Sequence, residues 1–489
     1  MSEGILDTSG IIAIFGYLLS LLLIGWWANK ARQSSSLNDY YLAGGSVGTT
    51  AMFFTLYATQ YSGNTLFAIP GAAYRGGFIG LSVVVAITAV VLVYFTYAPH
   101  LNRLAKKHEF VSLGDFISWR FDSKPLLIAV NLIAIFTLMT YALGNFKAVG
   151  LLLETASGGA ISFAAGIMIL AVVMAIYESL GGLRGVIWTD MLQGSLLFLG
   201  CLLLFGAVFM MNGPDSITNP EVLVRELASY FRDDMDAINF FSIVILIALG
   251  AAVYPQAIQR IYIAKDETTL KRSYAPLLLM PVLTTLPMIL VGISVAEWLP
   301  DLPDGQTENV VIYAVNHITG QYPSLSWLLI LYLGAAVAAI MSTIDSAMLT
   351  LGSIVTKDMV EKSQKDIEPE ALFKISRYTS LTLMIVMAVL AILLPQSIWT
   401  LLIFKFEFLI QIAPAVILGT RSSWIESKGT LWGLAAGCAC ALLLKLLPIL
   451  DLGPAHLAGI HAGLWGLAVN LLVLLIIGTR TRKVSQRMR

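Results

Sequence analysis

Four polar side chains stand close together in a segment that otherwise consists of small and apolar residues. The segment "GAAVAAIMSTIDSAMLTLGSIVTKDM" (334–359) places Ser342, Thr343, Asp345 and Ser346 within little more than one helical turn. Hard monovalent cations take oxygen ligands, and hydroxyls combined with free backbone carbonyls make a cage that needs little net charge. Serine and threonine can also bond back to the preceding turn of their own helix. For a cluster of this size beside small residues, we favour the cation site.

Two interruptions of apolar runs would supply the free carbonyls. The first is "ATQYSGN" (58–64), and the second is Gly250 followed by Tyr-Pro-Gln at 254–256. Unsatisfied backbone groups are costly in hydrocarbon, so interrupted helices are tolerated where they line a protein cavity. Interruptions five helices apart are typical of an inverted five-plus-five repeat that binds solute at its interface. The alternative is two proline-kinked helices without a site. The first interruption favours a site because it carries four side chains able to hydrogen-bond, namely Thr59, Gln60, Ser62 and Asn64.

Charged residues also occur within an apolar run. Residues 401–419 contain Lys405 and Glu407, with Gln411 one turn beyond Glu407. Intramembrane charges are expensive and usually face a cavity or a partner. Lys405 and Glu407 are two residues apart and point in different directions, so they are not a simple helical pair. Lys405 could attract a substrate carboxylate, but we favour polar partners on neighbouring helices for both charges. Lys147 is a second candidate for a buried cation.

The elements that position these residues must lie in lipid. Of the 489 residues, 57% are hydrophobic and 12% are charged, and the mean hydropathy is +0.81. A soluble domain carries about 25% charged residues, so this chain has too little polar surface to cover a globule in water. The net charge of zero gives no basis for nucleic-acid binding. Three cysteines in apolar runs, Cys201, Cys438 and Cys440, indicate neither a disulfide framework nor a zinc site.

Apolar runs of about 20 residues predict an all-α polytopic membrane protein with about thirteen spans. The expected spans are residues 10–29, 47–74, 77–98, 126–153, 159–178, 186–211, 238–258, 274–296, 324–352, 376–394, 396–419, 430–449 and 458–479. An odd number of spans puts the termini on opposite sides. Every second loop is rich in Lys and Arg, with Arg260 counted among these loop residues, whereas outer segments such as 297–308 are acidic. The positive-inside rule then predicts an outer N-terminus and a cytoplasmic C-terminus.

Several segments resemble patterns of the sodium/solute symporter family, which includes pantothenate, proline, sialic acid and sugar symporters. They are "LNDYYLAGGSVG" (37–48), "ATQYSGNTLFAIPGAAY" (58–74), "GGLRGVIWTDMLQG" (181–194), "QRIYIAKD" (259–266) and "AAIMSTIDSAML" (338–349). The resemblance runs in the expected order from about residue 37 to 420. It implies a leucine-transporter-type inverted repeat within one transmembrane domain, 1–489. One helix (10–29) would precede the ten-helix core (47–419), and two helices (430–479) would follow it.

The resemblance also implies site residues. The main sodium site would use backbone carbonyls of Ala58, Tyr61 and Ala339 and hydroxyls of Ser342 and Thr343. A possible second cation site consists of Asp190, Asp345 and Ser346, although Asp345 stands where the two-sodium pattern has a serine. The solute pocket would lie between the broken helices. Its expected lining is Gln60, Ser62, Asn64, Tyr254, Gln256 and Gln411, with Lys405 as a possible substrate charge partner.

These observations predict a sodium-coupled symporter of a bacterial inner membrane that imports a small organic solute by alternating access. We expect a carboxylate, either a monocarboxylate or a pantothenate-like acid, because the N-termini of half-helices favour an anion. Gln60 stands where the proline symporters have an aspartate, which argues against recognition of a proline-like amino group there. An amino-acid or sugar symporter and a transporter-like sensor remain as alternatives. The sequence contains no catalytic motif of the HExxH or GxxxxGK type, so an enzyme is not expected. The expected partners are the solute, sodium ions and the lipid bilayer, and no nucleic acid.

Overall fold

The computed structural model describes residues 8–478 except 33, 35, 213–215, 217, 231–233, 363–366, 395–397, 451–452 and 455. The described chain is almost entirely helical. The first half contains α1 (Thr8–Lys30), α2 (Leu37–Leu42), α3 (Thr49–Gln60), α4 (Gly63–Leu66), α5 (Ala68–Gly76), α6 (Leu81–His108), α7 (Leu113–Phe121), α8 (Lys124–Ala156), α9 (Phe163–Met211) and α10 (Pro220–Tyr230). The second half contains α11 (Asp234–Ala252), α12 (Pro255–Ile263), α13 (Glu267–Leu277), α14 (Leu286–Trp298), α15 (Val310–Gln321), α16 (Trp327–Ser353), α17 (Pro369–Leu393), α18 (Ile398–Leu409), α19 (Gly419–Arg421), α20 (Ser427–Ile449) and α21 (Ala462–Gly478).

The helices agree with the predicted polytopic architecture. Within the described chain, nine helices are long and apolar enough to cross a membrane, and the bent pair α11–α12 makes a tenth. The 49-residue α9 is about 74 Å long at 1.5 Å per residue, which is twice what one span needs. It changes direction at Gly182, whose φ of 55° favours glycine. When α9 is counted as two spans and the segments 49–76 and α21 are added, the total agrees with the prediction of about thirteen.

The first interruption separates α3 from α4 and α5. Tyr61 is extended at the end of α3, and the Ser62 side chain caps α4 by accepting from the Asn64 N–H at 3.2 Å. Gly63 follows, and a Cβ at this position would lie 2.7 Å from the Ile340 side chain of α16. The Gly63 N–H donates to Asn145 Oδ1 of α8 at 3.1 Å. The break is therefore held by side chains from two other helices.

The second interruption bends the chain by 49° between α11 and α12. The carbonyls of Ala251 and Ala252, which lie at the end of α11, accept hydrogen bonds from the hydroxyls of Tyr94 and Tyr97. Both tyrosines belong to α6. Because carbonyls at a helix end lack intrahelical partners, these hydroxyls stabilise the break inside an apolar protein. Both predicted interruptions are therefore present as breaks.

The two broken segments meet at one end of the molecule. Val47, just before α3, forms an isolated parallel bridge with Ala264, just after α12. The Val47 N–H donates to the Ile263 carbonyl and the Lys265 N–H donates to the Val47 carbonyl, both at 3.1 Å. This contact ties the start of one broken segment to the end of the other.

The helix that carries the hydroxyl cluster lies at the centre of the protein. α16 lies within the segment Pro323–Glu361. In the most apolar stretch of this segment, 78% of the residues are buried, compared with 22% in the corresponding stretch of Ile12–Lys30 at the periphery. α16 packs against α8 and α9 and also contacts α3 and α4. Its small residues allow this close packing on several sides. The position brings the α16 hydroxyls next to the first break.

Candidate functional site

The Ser342 hydroxyl connects α16 to the first break. Its Oγ donates to the carbonyl oxygens of Ala58 and Ala339, at 3.1 Å to each. Thr343 Oγ1 lies 3.0 Å from the same Ala339 carbonyl. The Ala58 carbonyl is available because α3 ends two residues later, so the chain does not continue to supply its usual intrahelical donor. Four of the five predicted sodium ligands are thus in direct mutual contact.

The fifth predicted ligand, Tyr61, lies at the same break. Its N–H donates to the Tyr57 carbonyl at 2.9 Å, and its extended backbone takes its own carbonyl out of the helical ladder. All five residues are at most 1% exposed. The cluster combines neutral carbonyl and hydroxyl oxygens in a buried space, so the donor set suits a monovalent cation. The residues present therefore fit sodium.

The possible second cation site contains an arginine that the charge pattern of the loops had led us to expect outside the membrane. Arg260 was assigned to an inner loop, but it lies in α12 and is fully buried. Its Nη2 donates to Ser346 Oγ at 2.6 Å and lies 3.8 Å from Asp190 Oδ2. Thr55 donates to the same carboxylate oxygen at 2.5 Å. Arg260 thus connects Asp190 with Ser346. The sequence did not predict this connection.

Asp345 faces a different neighbour. Its Oδ2 accepts a hydrogen bond from the Tyr177 hydroxyl of α9, and its Oδ1 has no hydrogen-bond partner among the described residues. Asp190 Oδ1 likewise has no partner there. Among the described residues, no group of three or more His, Cys, Asp or Glu side chains has a metal-binding arrangement. The buried Glu178 interacts electrostatically with Asp345, and neither of its carboxyl oxygens has a hydrogen-bond partner among the described residues. The available oxygens of this region therefore include one atom each of Asp190 and Asp345 and both of Glu178, beside the hydroxyls of Thr59 and Ser346, which lie 3.2 Å apart.

A cavity lies between the first break and helices α6, α8, α11 and α18. Its volume is about 60 Å3. Five of the predicted solute-site residues line it, namely Gln60, Ser62, Asn64, Tyr254 and Lys405. The other lining side chains are Thr65, Ile69, Val83, Ile87, Val90, Tyr141, Ile247, Ala251 and Phe406. The predicted position between the broken helices thus contains a real space.

Lys405 is a buried cation that faces this cavity. Its side chain is 1% exposed, and Nζ lies 3.5 Å from the centre of the Tyr141 ring. The Tyr254 and Phe406 rings are 5.3 and 5.2 Å away. Within the described chain, Lys405 forms no ion pair and no hydrogen bond. Lys147 differs because its ammonium donates to the Leu394 carbonyl. The expected structural polar partner for Lys405 is therefore absent from the described residues, and aromatic faces surround it instead.

Gln411 and Gln256 do not line the cavity. Gln411 Nε2 donates to the Gly463 carbonyl of α21 at 2.9 Å. Glu407, on the same face of the helix, lies 2.8 Å from Lys445 Nζ of α20 and 3.2 Å from His461 Nδ1. These two residues therefore attach α18 to the last two helices. Gln256, fully buried in the first turn of α12, has no hydrogen-bond partner for either amide atom among the described residues.

The two breaks differ in how their half-helix N-termini are satisfied. At the first break, Asn145 and Ser62 already accept the Gly63 and Asn64 N–H groups, so these groups are not free for a solute as we expected. At the second break, α12 starts with Pro255, and the side chain of its N-cap residue Tyr254 forms no capping hydrogen bond. Of the two breaks, the second therefore leaves the positive end of its helix dipole without a side-chain cap, next to Tyr254 and on the side of the cavity where Lys405 lies.

Sequence reasoning missed three residues of the site. Arg260 was hidden because α12 has only nine residues and ends near loop residues. Asn145 and Tyr141 lie in the long apolar α8, which contains no interruption. The sequence feature that could have indicated Tyr141 and Asn145 is "YALGN" (141–145). These two polar residues are four positions apart and therefore share one face of a helix.

The fold and site define a helical membrane transporter with two broken spans around a solute cavity. The sodium:solute symporter family model matches residues 40–437, and the chain belongs to this family. Membership identifies sodium as the coupling ion and a small solute as the second binding partner. The match covers every residue of both candidate cation sites and of the cavity.

Curated relatives align over most of the chain. The osmoregulated proline transporter OpuE of Bacillus subtilis is 24% identical over 484 residues, covering 97% of this chain and 96% of that protein. The sodium/pantothenate symporter of Escherichia coli is 26% identical, covering 91% of this chain and 92% of that protein. The sodium/sialic acid symporter NanT of Aliivibrio fischeri is 25% identical, covering 76% and 73%. This chain is accordingly similar to bacterial membrane transporters of differing named solutes.

Solved structures show the fold. A Na+-coupled sialic acid symporter in a substrate-bound outward-open state matches with a TM-score of 0.78 at 19% identity, over 98% of this chain and 99% of that one. A nucleobase-cation-symport-1 family transporter in a closed conformation matches with a TM-score of 0.55 at 12% identity, over 92% of this chain and 96% of that one. The predicted leucine-transporter-type fold is confirmed.

Proposed function

We propose that this protein is a sodium-coupled symporter that imports a small organic carboxylate by alternating access. The observation that carries the proposal is the buried Lys405 side chain at the wall of the cavity, which forms no ion pair and no hydrogen bond with any residue that the structure describes. A buried charge without a partner costs several kcal/mol. A carboxylate entering the cavity would supply the missing countercharge, and the uncapped N-terminus of α12 would add to its stabilisation.

Sodium binding is proposed at Ala58, Tyr61, Ala339, Ser342 and Thr343. The hydrogen bonds of Ser342 show that α16 and the end of α3 already lie at contact distance. A bound cation supplies a positive charge that holds these oxygens together. The same break provides Gln60, Ser62 and Asn64 to the cavity. Fixing the break therefore also fixes three solute-contacting side chains, which is a direct structural basis for coupling.

A second cation is proposed between Asp190 and Asp345. These two carboxylates and the Arg260 guanidinium are fully buried. When both carboxylates are ionised and the neighbouring buried Glu178 is neutral, these groups carry one net negative charge, which a single monovalent cation would neutralise. The unpartnered oxygens Asp190 Oδ1 and Asp345 Oδ1, together with Ser346, are the proposed ligands.

The proposed location is the inner membrane of a bacterium, with the N-terminus outside and the C-terminus in the cytoplasm. The loop charges support this orientation. It places the Val47–Ala264 bridge at the cytoplasmic end, where it would close the path from the cavity. We further propose that residues 1–489 form one transmembrane domain, with α1 before the ten-helix core and α20 and α21 after it.

The test is ligand-induced thermal stabilisation of the purified protein in detergent, with sodium or potassium as the only cation. Small monocarboxylates should stabilise the protein in sodium, and their amides and methyl esters should not. Lys405→Met should abolish the effect, since it removes the charge but keeps an unbranched side chain. Lys147→Met is the matched control, because Lys147 is a buried cation that donates to Leu394. Equal stabilisation by acids and esters would refute the carboxylate assignment.

A further inference from the structure

The solute cavity has a hydrocarbon wall. Val83, Ile87 and Val90 lie at four- and three-residue spacing and therefore share one face of α6. Ile247 and Ala251 share one face of α11 in the same way. None of these five side chains carries a polar atom.

The polar lining comes from other elements. Gln60, Ser62 and Asn64 belong to the first break, and Lys405 and Tyr141 come from α18 and α8. The backbone carbonyls next to the hydrocarbon wall are also occupied, since Tyr94 and Tyr97 donate to Ala251 and Ala252. A solute group resting on the α6 and α11 wall would therefore find no hydrogen-bonding side chain on that wall. The cavity is divided into a polar side and an apolar side.

The volume of the cavity favours a small solute. A cavity needs about 10–15 Å3 to hold one water molecule. The cavity volume of about 60 Å3 therefore corresponds to roughly four to six water-sized positions. A carboxylate group with a short tail matches this space.

Building on the proposed function, we propose that the substrate is a short aliphatic monocarboxylate with an unsubstituted hydrocarbon tail. Its carboxylate lies toward Lys405 and the start of α12, and its tail contacts Val83, Ile87 and Val90. This assignment separates the two acids that the sequence left open. The hydroxyl and amide groups of a pantothenate-like acid would meet the hydrocarbon wall, which offers them no hydrogen-bonding side chain.

Competition against sodium-dependent uptake of labelled butyrate into proteoliposomes tests this assignment. The competitors are acetate, propionate, butyrate, 3-hydroxybutyrate, pantothenate and butyramide. Each methylene from acetate to butyrate should improve competition about fourfold, which is the effect of burying one CH2 group. 3-Hydroxybutyrate should compete about tenfold less well than butyrate, because its hydroxyl loses water without gaining a partner. Pantothenate should not compete.

A near-isosteric variant tests the wall directly. Val90→Thr adds one hydroxyl with little change in shape, so it should raise competition by 3-hydroxybutyrate relative to butyrate. Ile87→Val is the control, because it trims the wall without adding a polar atom and should leave that ratio unchanged. If Val90→Thr does not fold, the wild-type competitor series alone decides the question.

The outcomes distinguish this inference from the proposed function. If pantothenate or 3-hydroxybutyrate competes as well as butyrate, the hydrocarbon-tail assignment is wrong while carboxylate transport stands. If no labelled butyrate enters and thermal stabilisation in sodium is seen only with larger acids, the size argument is wrong. If butyramide competes as well as butyrate, or no acid stabilises the protein, the carboxylate function itself fails.

Discussion

Replacing Ser342 with alanine would remove a hydroxyl that contacts both helices of the proposed sodium site. The Ser342 Oγ lies 3.1 Å from the Ala58 carbonyl on α3 and 3.1 Å from the Ala339 carbonyl on α16. A contact of this kind to a charged group contributes about 1.5–3 kcal/mol. The half-saturating sodium concentration for solute uptake should therefore rise roughly 10- to 100-fold. The assay is initial uptake into proteoliposomes as sodium is varied at saturating solute.

Ser353→Ala is the matched control for this experiment. Ser353 is a buried serine of the same helix, and its hydroxyl donates to the Thr350 carbonyl at 2.8 Å. Its loss should lower stability by about 1 kcal/mol, as for a neutral hydrogen bond, without changing the sodium requirement. Thr343→Val should resemble Ser342→Ala, because it removes the second ligand hydroxyl and keeps the side-chain shape. A wild-type sodium requirement in both Ser342→Ala and Thr343→Val would refute the assignment of the site.

Three further predictions concern neighbouring positions. Asp190→Asn should lower the Hill coefficient of uptake for sodium towards one, while transport is partly retained. If the coefficient of the wild-type protein is already one, sodium does not occupy the second site. Gly63→Ala should weaken sodium and solute binding together, because the new Cβ would lie 2.7 Å from Ile340; unchanged binding would contradict the tight packing of the break. Glu407→Gln should lower the free energy of unfolding by about 1–3 kcal/mol through the lost contacts to Lys445 and His461, measured as thermal stability; the sodium requirement should not change.

The breaks could be predicted because local sequence determines them. A glycine within "ATQYSGN" and a proline at 255 disturb an ordinary helix. The hydroxyl cluster on α16 was visible as a candidate cation site, but the particular set of five ligands came from the resemblance to the family and stays a prediction. The contact of Ser342 with Ala58, 284 positions away, could not be read from either segment alone.

Arg260 and Gln411 could not be placed from the sequence because helix direction decides their neighbours. Arg260 lies in the last turn of a nine-residue helix that starts with a proline, and neither feature shows which residues its side chain contacts. Gln411 lies one turn from Glu407, and both face α20 and α21 rather than the cavity. Their spacing shows that they share a face but not which neighbour that face contacts.

Lys405 illustrates the same limit for a charge. Its sequence environment resembles that of Lys147, since each is the one cation within a largely apolar run, although Lys405 also has Glu407 nearby. Only the three-dimensional arrangement separates Lys147, which donates to the Leu394 carbonyl, from Lys405, which faces the cavity among aromatic rings. The structure thus shows no polar partner for Lys405 among the described residues, and its role as a substrate charge partner stays a proposal.

The central claim is that sodium drives a small carboxylate into a cavity whose only lining cation is Lys405 among the described residues. The most direct measurement is uptake of labelled butyrate into proteoliposomes that contain either the wild-type protein or Lys405→Met, with an inward sodium gradient or an equal potassium gradient. We predict accumulation above equilibrium only for the wild type in sodium. Equal uptake in sodium and potassium, or undiminished uptake by Lys405→Met, would contradict the account.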